Sequence, residues 1–220
     1  LKDLTNLAKH LNVAEIAVKD ESSRFGINSF KGAGGLYAMA CCIAERAGLD
    51  VDKLTYDELM KPEVRKVAEK ITFYTATDGN HGRGIAWAAS KLGTHAVIKM
   101  PKGSKEIRAD HIRKIQNTEV EITDKNYDNT VKEVKELCEK DPNGIMIQDT
   151  AWEGYEKIQG WIIKGYGLIV DEFLHQMKEK PTHIFLQAGV GSLAAGIILG
   201  LEERMKPEEL PVITIVEPDT

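Results

Sequence analysis

Phe73-Tyr74-Thr75-Ala76-Thr77-Asp78-Gly79-Asn80-His81-Gly82 passes from a strand-like run through a polar turn into a helix, and this order of elements decides the fold. Aromatic and β-branched side chains suit a pleated strand, and Asp-Gly followed by Asn punctuates its end. Past the turn, Ile85, Ala89 and Leu92 fall on one helical face. The same unit recurs. Residues 95–100, 120–123 and 145–148 are further β-rich runs, with Tyr127, Val131, Val134 and Cys138 as an apolar stripe between the last two. Strands that alternate with helices predict a parallel α/β sheet.

A second series begins at residues 183–186, crosses a glycine loop into a helix near 192–205 and returns as a strand over 212–216. Residues 15–18 are expected to join this second sheet. The chain is thus read as two interleaved parallel α/β domains: 1–38 with 180–220 forming the larger, incomplete one, and 39–179 the smaller, inserted one. It opens on Leu1 and stops at Thr220 just after a strand-like run, which suggests a fragment. The longest helix is expected over 151–178, started by a Thr150/Glu153 capping box and lined by Tyr155, Ile158, Ile162, Ile169, Phe173 and Met177. Gly160, Gly165 and Gly167 would each weaken it by about 1 kcal/mol relative to alanine, which points to close packing against another backbone.

Composition narrows the function classes. With 42% hydrophobic and 29% charged residues over 220 positions, the chain can build a sizeable core. Its 29 basic and 34 acidic residues, net −5, argue against a nonspecific nucleic-acid or anionic-membrane binder. The uncharged run 184–201 contains Gln187, Ser192 and four glycines, and reads as strand, loop and helix rather than a membrane span. Three cysteines, two of them adjacent at 41 and 42, give no disulfide framework, so a cytoplasmic setting is expected.

Four segments could carry chemistry. Ser29-Phe30-Lys31-Gly32-Ala33-Gly34-Gly35 precedes a helix with Leu36, Met39, Ile43 and Ala47 on its apolar face and Gly48 at its end. Ser29 suits the N-cap, which sets Lys31 in the first turn, where the helix dipole and burial disfavour a cation. An uncharged amine there could form a Schiff base, whereas an ordinary solvated lysine is the commoner role. In Thr77-Asp78-Gly79-Asn80-His81, amides at the helix start can receive an anion and Asn80 adds a side-chain donor. Capping by Asp78 or Asn80 is the structural alternative, and one cap cannot occupy both.

Asp149 follows Gln148 at another strand end and, with Thr150 as the better cap, is left to face the same crevice as Asp78, giving two acid/base groups. Gln187-Ala188-Gly189-Val190-Gly191-Ser192 lies between strand and helix, where amides and a hydroxyl cradle a phosphate. The dinucleotide fingerprint fails at its third glycine, where Ala194 stands, although Glu217 after the next strand keeps a nucleotide reading open. His10, His81, His95, His111, His175 and His183 show no metal-ligand spacing, and neither a G-x-S-x-G elbow nor a P-loop occurs.

Taken in order, Val18-Lys19-Asp20-Glu21-Ser22, Arg24 through Lys31, Ala76 through Gly84, Gln148 through Tyr155 and Gln187 through Ser192 resemble the fold-type II (tryptophan synthase β-like) family of pyridoxal-phosphate enzymes. Within it the likeness is to the ammonia-lyases acting on 2,3-diaminopropionate. The blocks cover nearly the whole chain, and Asp78 stands where related dehydratases and synthases usually carry a small residue. The resemblance implies that Lys31 attaches pyridoxal 5'-phosphate, that Asn80 touches its ring hydroxyl, and that Gly189, Val190, Gly191 and Ser192 bind its phosphate. It implies that Thr77, Asp78, Gly79 and His81 bind substrate. In the α,β-elimination to pyruvate and ammonia, Asp78 would serve the D-isomer and Asp149 the L-isomer. A homodimer is implied, with the partner of the cofactor ring nitrogen lying past Thr220. The Gly-Ala-Gly-Gly run after Lys31 departs from the family and is expected to leave that helix start flexible. The rival readings are a serine or threonine dehydratase of the same family and a non-catalytic nucleotide- or metabolite-binding module with Lys31 as a surface charge.

Overall fold

The computed structural model describes residues 1–217; positions 218–220 of the expected larger domain lie outside the described residues. Strand β1 (Lys2–Asp3), helix α1 (Thr5–Leu11) and β2 (Ala17–Val18) open the chain. β2 pairs antiparallel with β1, Lys2 opposite Val18, so residues 15–18 do not extend the second parallel sheet. A local closure wins instead: the Leu4 amide donates to the Ile16 carbonyl at 2.8 Å and the chain folds back on itself around α1.

A short 3-10 turn at Arg24–Gly26 leads into α2 (Lys31–Arg46), α3 (Tyr56–Leu59) and α4 (Pro62–Ala68). The expected alternation follows as β3 (Thr72–Ala76), α5 (Asn80–Leu92), β4 (His95–Met100), α6 (Glu106–Arg113), β5 (Thr118–Ile122), α7 (Tyr127–Lys140) and β6 (Gly144–Met146). These strands form one parallel sheet in the order β5-β4-β3-β6, with Tyr74 opposite both Val97 and Met146. On the two central strands Phe73, Ala76, Ile98 and Met100 are fully buried, while Tyr74 and Lys99 on the alternate positions are half-buried. The chain closes with α8 (Lys157–Gln176), β7 (His183–Gln187), α9 (Ser192–Glu202) and β8 (Val212–Val216), β7 and β8 pairing parallel in a sheet of their own. Among the described residues no helix is long and apolar enough to cross a membrane.

Two expectations about helices change. α8 starts at Lys157, not near 151, because Gly154 adopts φ +84° and Trp152 stacks on Tyr155 with ring centroids 4.2 Å apart. That turn precludes the Thr150/Glu153 capping box, and the residue at the N-cap is Glu156. The glycines after Lys31 are not a loose hinge either. A Cβ on Gly34 would stand 2.7 Å from the Ile162 carbonyl oxygen, and one on Gly35 2.8 Å from Ile85 Cδ1. Glycine is needed there because α2 is clasped between α5 and α8 at backbone distance. Gly165 meets α2 from the other side, its Cβ position 2.9 Å from Gly34 Cα. Gly160 faces open space and Gly167 meets only Arg204 at 3.8 Å, so close packing accounts for one of the three α8 glycines.

Candidate active site

The carboxyl ends of β3 and β7, and the residues just past β6, converge with the amino ends of α2, α5 and α9. Lys31 is the first residue of α2, and the cap position is Phe30 rather than Ser29. Ser29 contributes one step earlier, its Oγ accepting from the Lys31 amide at 3.2 Å. The Lys31 Nζ lies 2.5 Å from Asp149 Oδ2.

Asp149 is 6% exposed. Burial alone would raise its carboxyl, but the neighbouring His81 and Lys31 outweigh burial and hold it below the ordinary carboxylate range. His81 is not on the open face of its loop. It is buried, with Nε2 2.8 Å from the Ile147 carbonyl and Nδ1 3.7 Å from Asp149 Oδ2. Burial pushes the imidazole down, against the pull of Asp149. Ser192, expected on a phosphate, donates its hydroxyl to the Asp149 carbonyl at 2.7 Å and so ties α9 to the segment carrying that carboxylate.

Neither Asp78 nor Asn80 caps α5. Thr77 Oγ1 accepts from the amides of Gly79 at 3.0 Å and Gly82 at 3.2 Å, leaving both polar residues exposed at the strand end. Arg108 steadies the turn by donating to the Asp78 carbonyl at 3.1 Å. The Tyr127 phenol is pushed up by burial first and then by Asp149, with Asp78 contributing least.

Tyr127 was readable only as part of the α7 stripe, yet its hydroxyl accepts from Gln148 Nε2 at 2.8 Å. Gln148 also donates to the Ala76 carbonyl at 2.9 Å, and its Oε1 accepts from the Ala76 amide at 3.1 Å and from Thr75 Oγ1 at 2.9 Å. A side chain thus continues the β3–β6 pairing past Met146 and delivers Asp149 to the crevice. The one sequence signal was a glutamine inside a β-rich run.

Residues 187–193 with Phe30 and Lys31 line a cavity of about 140 Å³. Gly191 caps α9 at φ +83° and offers no side chain to its first amides, while a Cβ on Gly189 would meet nothing within 4 Å. Uncapped amides at a helix start beside an amine form a donor set suited to a phosphate carried on an aldehyde.

A protein-family model described as "Pyridoxal-phosphate dependent enzyme" matches residues 1–220. The chain belongs to that family. Among curated relatives of this pyridoxal-phosphate dependent enzyme, the diaminopropionate ammonia-lyase of Escherichia coli (strain K12) is 47% identical over 222 residues, covering 100% of this chain and 53% of the relative. The probable D-serine dehydratase of Oenococcus oeni is 30% identical over 202 residues, covering 86% of this chain and 44% of its own length. The crystal structure of the Escherichia coli diaminopropionate ammonia-lyase in apo form superposes with a TM-score of 0.88 at 46% identity, covering 100% of this chain and 58% of that one. The fold-type II expectation for this pyridoxal-phosphate dependent enzyme is therefore borne out. The chain spans about half the length of the diaminopropionate ammonia-lyases it matches.

Proposed function

We propose that this chain carries the lysine, the two carboxylates and the phosphate loop of a lyase that eliminates ammonia from 2,3-diaminopropionate, the product then yielding pyruvate and a second ammonia. The observation that carries the reading is Lys31 Nζ at 2.5 Å from Asp149 Oδ2, at the edge of the cavity walled by the Gly189–Gly191 turn. A surface lysine in a binding module would have no such partner, which weighs against the non-catalytic reading.

Pyridoxal phosphate, when bound, supplies an electron sink for the charge left on the substrate α-carbon. Lys31 would hold it through Nζ, the amides of 189–192 would hold its phosphate, and Asn80, at the start of α5, would reach its ring hydroxyl. Asp149 would take the proton that Lys31 Nζ must shed before it can act as a nucleophile. An amine leaves only when protonated, and removal of an α-proton from either face needs a base on that face. Asp149 and Asp78, at the ends of different strands, suit that pair of tasks, with Asp149 acting on the L-isomer and Asp78 on the D-isomer. Greater identity to the ammonia-lyase than to the dehydratase supports the same choice. The two-domain division, a cytoplasmic setting and a homodimer belong to the same reading, the setting supported by three free, buried cysteines.

The test is release of pyruvate and ammonia by the full-length protein from D- and L-2,3-diaminopropionate, alongside borohydride reduction and peptide mapping of the labelled lysine. Label on Lys31 with turnover of diaminopropionate is expected. Inert diaminopropionate with active serine or threonine would hand the assignment to the dehydratase reading, and an unlabelled Lys31 in holo-protein to the binding module.

A further inference from the structure

His81 presents an unexplained atom. Its Nε2 faces the Ile147 carbonyl at 2.8 Å, and a carbonyl only accepts, so Nε2 carries the hydrogen. In the neutral ring Nδ1 is then a bare lone pair. It is buried, has no hydrogen-bond partner and sits 3.7 Å from Asp149 Oδ2, the same oxygen that Lys31 Nζ approaches from elsewhere. A lone pair facing a carboxylate is repulsive, and a proton between them turns the contact into a charge-assisted hydrogen bond.

Building on the reading of Asp149 as a proton acceptor beside Lys31, we propose that His81 is a positioning residue that shares the Asp149 proton. In the transfer, the O–H bond at Asp149 Oδ2 breaks and an N–H bond forms at His81 Nδ1, leaving carboxylate beside imidazolium; nothing is oxidised or reduced. A closure of roughly half an ångström to an ångström brings the two atoms into hydrogen-bond range. Burial acts most strongly on the ring and, with Lys31, opposes the imidazolium, while Asp149, the Ile147 carbonyl and Asp78 favour it. While Lys31 Nζ occupies Oδ2, the ring stays neutral. Once that nitrogen is drawn away, the proton taken up by Asp149 passes to a site shielded from water and returns through Asp149 to the departing amine.

The full-length protein, labelled with ¹⁵N-histidine, reports the ring directly. His81→Asn, or His81→Gln should the first fail to fold, assigns the signal. The expected spectrum is the Nε2–H tautomer in the wild type, a protonated Nδ1 at neutral pH in Lys31→Ala, and loss of that protonation when Asp149→Asn is added. A neutral ring with its hydrogen on Nδ1, or a Lys31→Ala spectrum identical to wild type, overturns the assignment. In holoenzyme kinetics, His81→Asn should lower kcat for L-2,3-diaminopropionate about tenfold or more with KM within about twofold, and leave kcat for the D-isomer within about threefold. Equal losses for the two isomers would mark a merely structural role. Should neither isomer be a wild-type substrate, the functional reading fails while the NMR result still decides the proton sharing.

Discussion

Gly84 on α5 lies directly against the first turn of α2: a Cβ there would stand 3.0 Å from the Lys31 carbonyl carbon and 2.9 Å from the Gly32 amide nitrogen. Both obstacles are backbone, so neither can swing aside. Two helix starts are thereby held together, and the lysine on one is placed relative to the loop that opens the other. Gly84→Ala is expected to cost about 1–3 kcal/mol by overpacking. It should also part Lys31 from Asp149. Urea unfolding of the full-length protein reads the first effect, and the yield of borohydride-trapped Lys31 reads the second. An unchanged midpoint with full trapping would show that the contact does not position the lysine.

The α8 glycines separate cleanly. Gly160 has open space around its Cβ position, whereas Gly165 would drive a Cβ to 2.9 Å from Gly34 Cα and 3.0 Å from the Ala33 carbonyl oxygen. Gly160→Ala is expected to stabilise the chain by about 0.4–1 kcal/mol, by helix propensity and a less disordered unfolded state. Gly165→Ala is expected to destabilise it by about 1–3 kcal/mol. Paired thermal melts check the opposite signs.

That contrast marks where sequence reading stopped. The β3–α5 and β7–α9 units were legible because strand, turn and helix each carry a local signal. Gly160 and Gly165 look alike along the chain, and only the neighbour across the interface tells them apart. The same holds for Thr77, whose hydroxyl displaced two better-ranked caps because the turn at Gly79, φ +152°, points the strand-end oxygen back at the Gly79 and Gly82 amides. The Lys31–Asp149 pair spans 118 positions, and no local pattern announces it.

Glu172 on α8 gathers Lys19 at 2.5 Å and Arg24 at 2.5 Å, fastening the segment before Lys31 to that helix. The Arg24 hydrogen bond, with burial opposing and Lys19 assisting, lowers its carboxyl from the ordinary 4.5 to about 2. A depressed carboxylate stabilises the fold fully above its ordinary value, and that contribution drains away as pH falls from about 4.5 through about 2. Glu172→Gln should therefore cost about 1–3 kcal/mol at pH 7, between the values for exposed and buried pairs. The gap between wild type and variant should narrow below pH 4. Urea titrations across that range measure it, and a gap independent of pH would show that the ion pairs contribute nothing.

Gln148 satisfies four groups at once: the Ala76 amide and carbonyl, Thr75 Oγ1 and the Tyr127 hydroxyl. Replacing it by an apolar side chain of similar size leaves the buried Ala76 amide without this partner and weakens the bonding of Thr75 Oγ1 and the Ala76 carbonyl, and each such loss costs about 1–3 kcal/mol, less than additively where they share a network. Gln148→Leu is expected to destabilise the chain by about 2–5 kcal/mol. Tyr127→Phe removes the outermost member alone and should cost about 1 kcal/mol. Because both changes break the same hydrogen bond, the double variant should fall short of the sum by about 0.5–2 kcal/mol. Full additivity in a double-mutant cycle, read from denaturant midpoints, would mean that Tyr127 and Gln148 act independently.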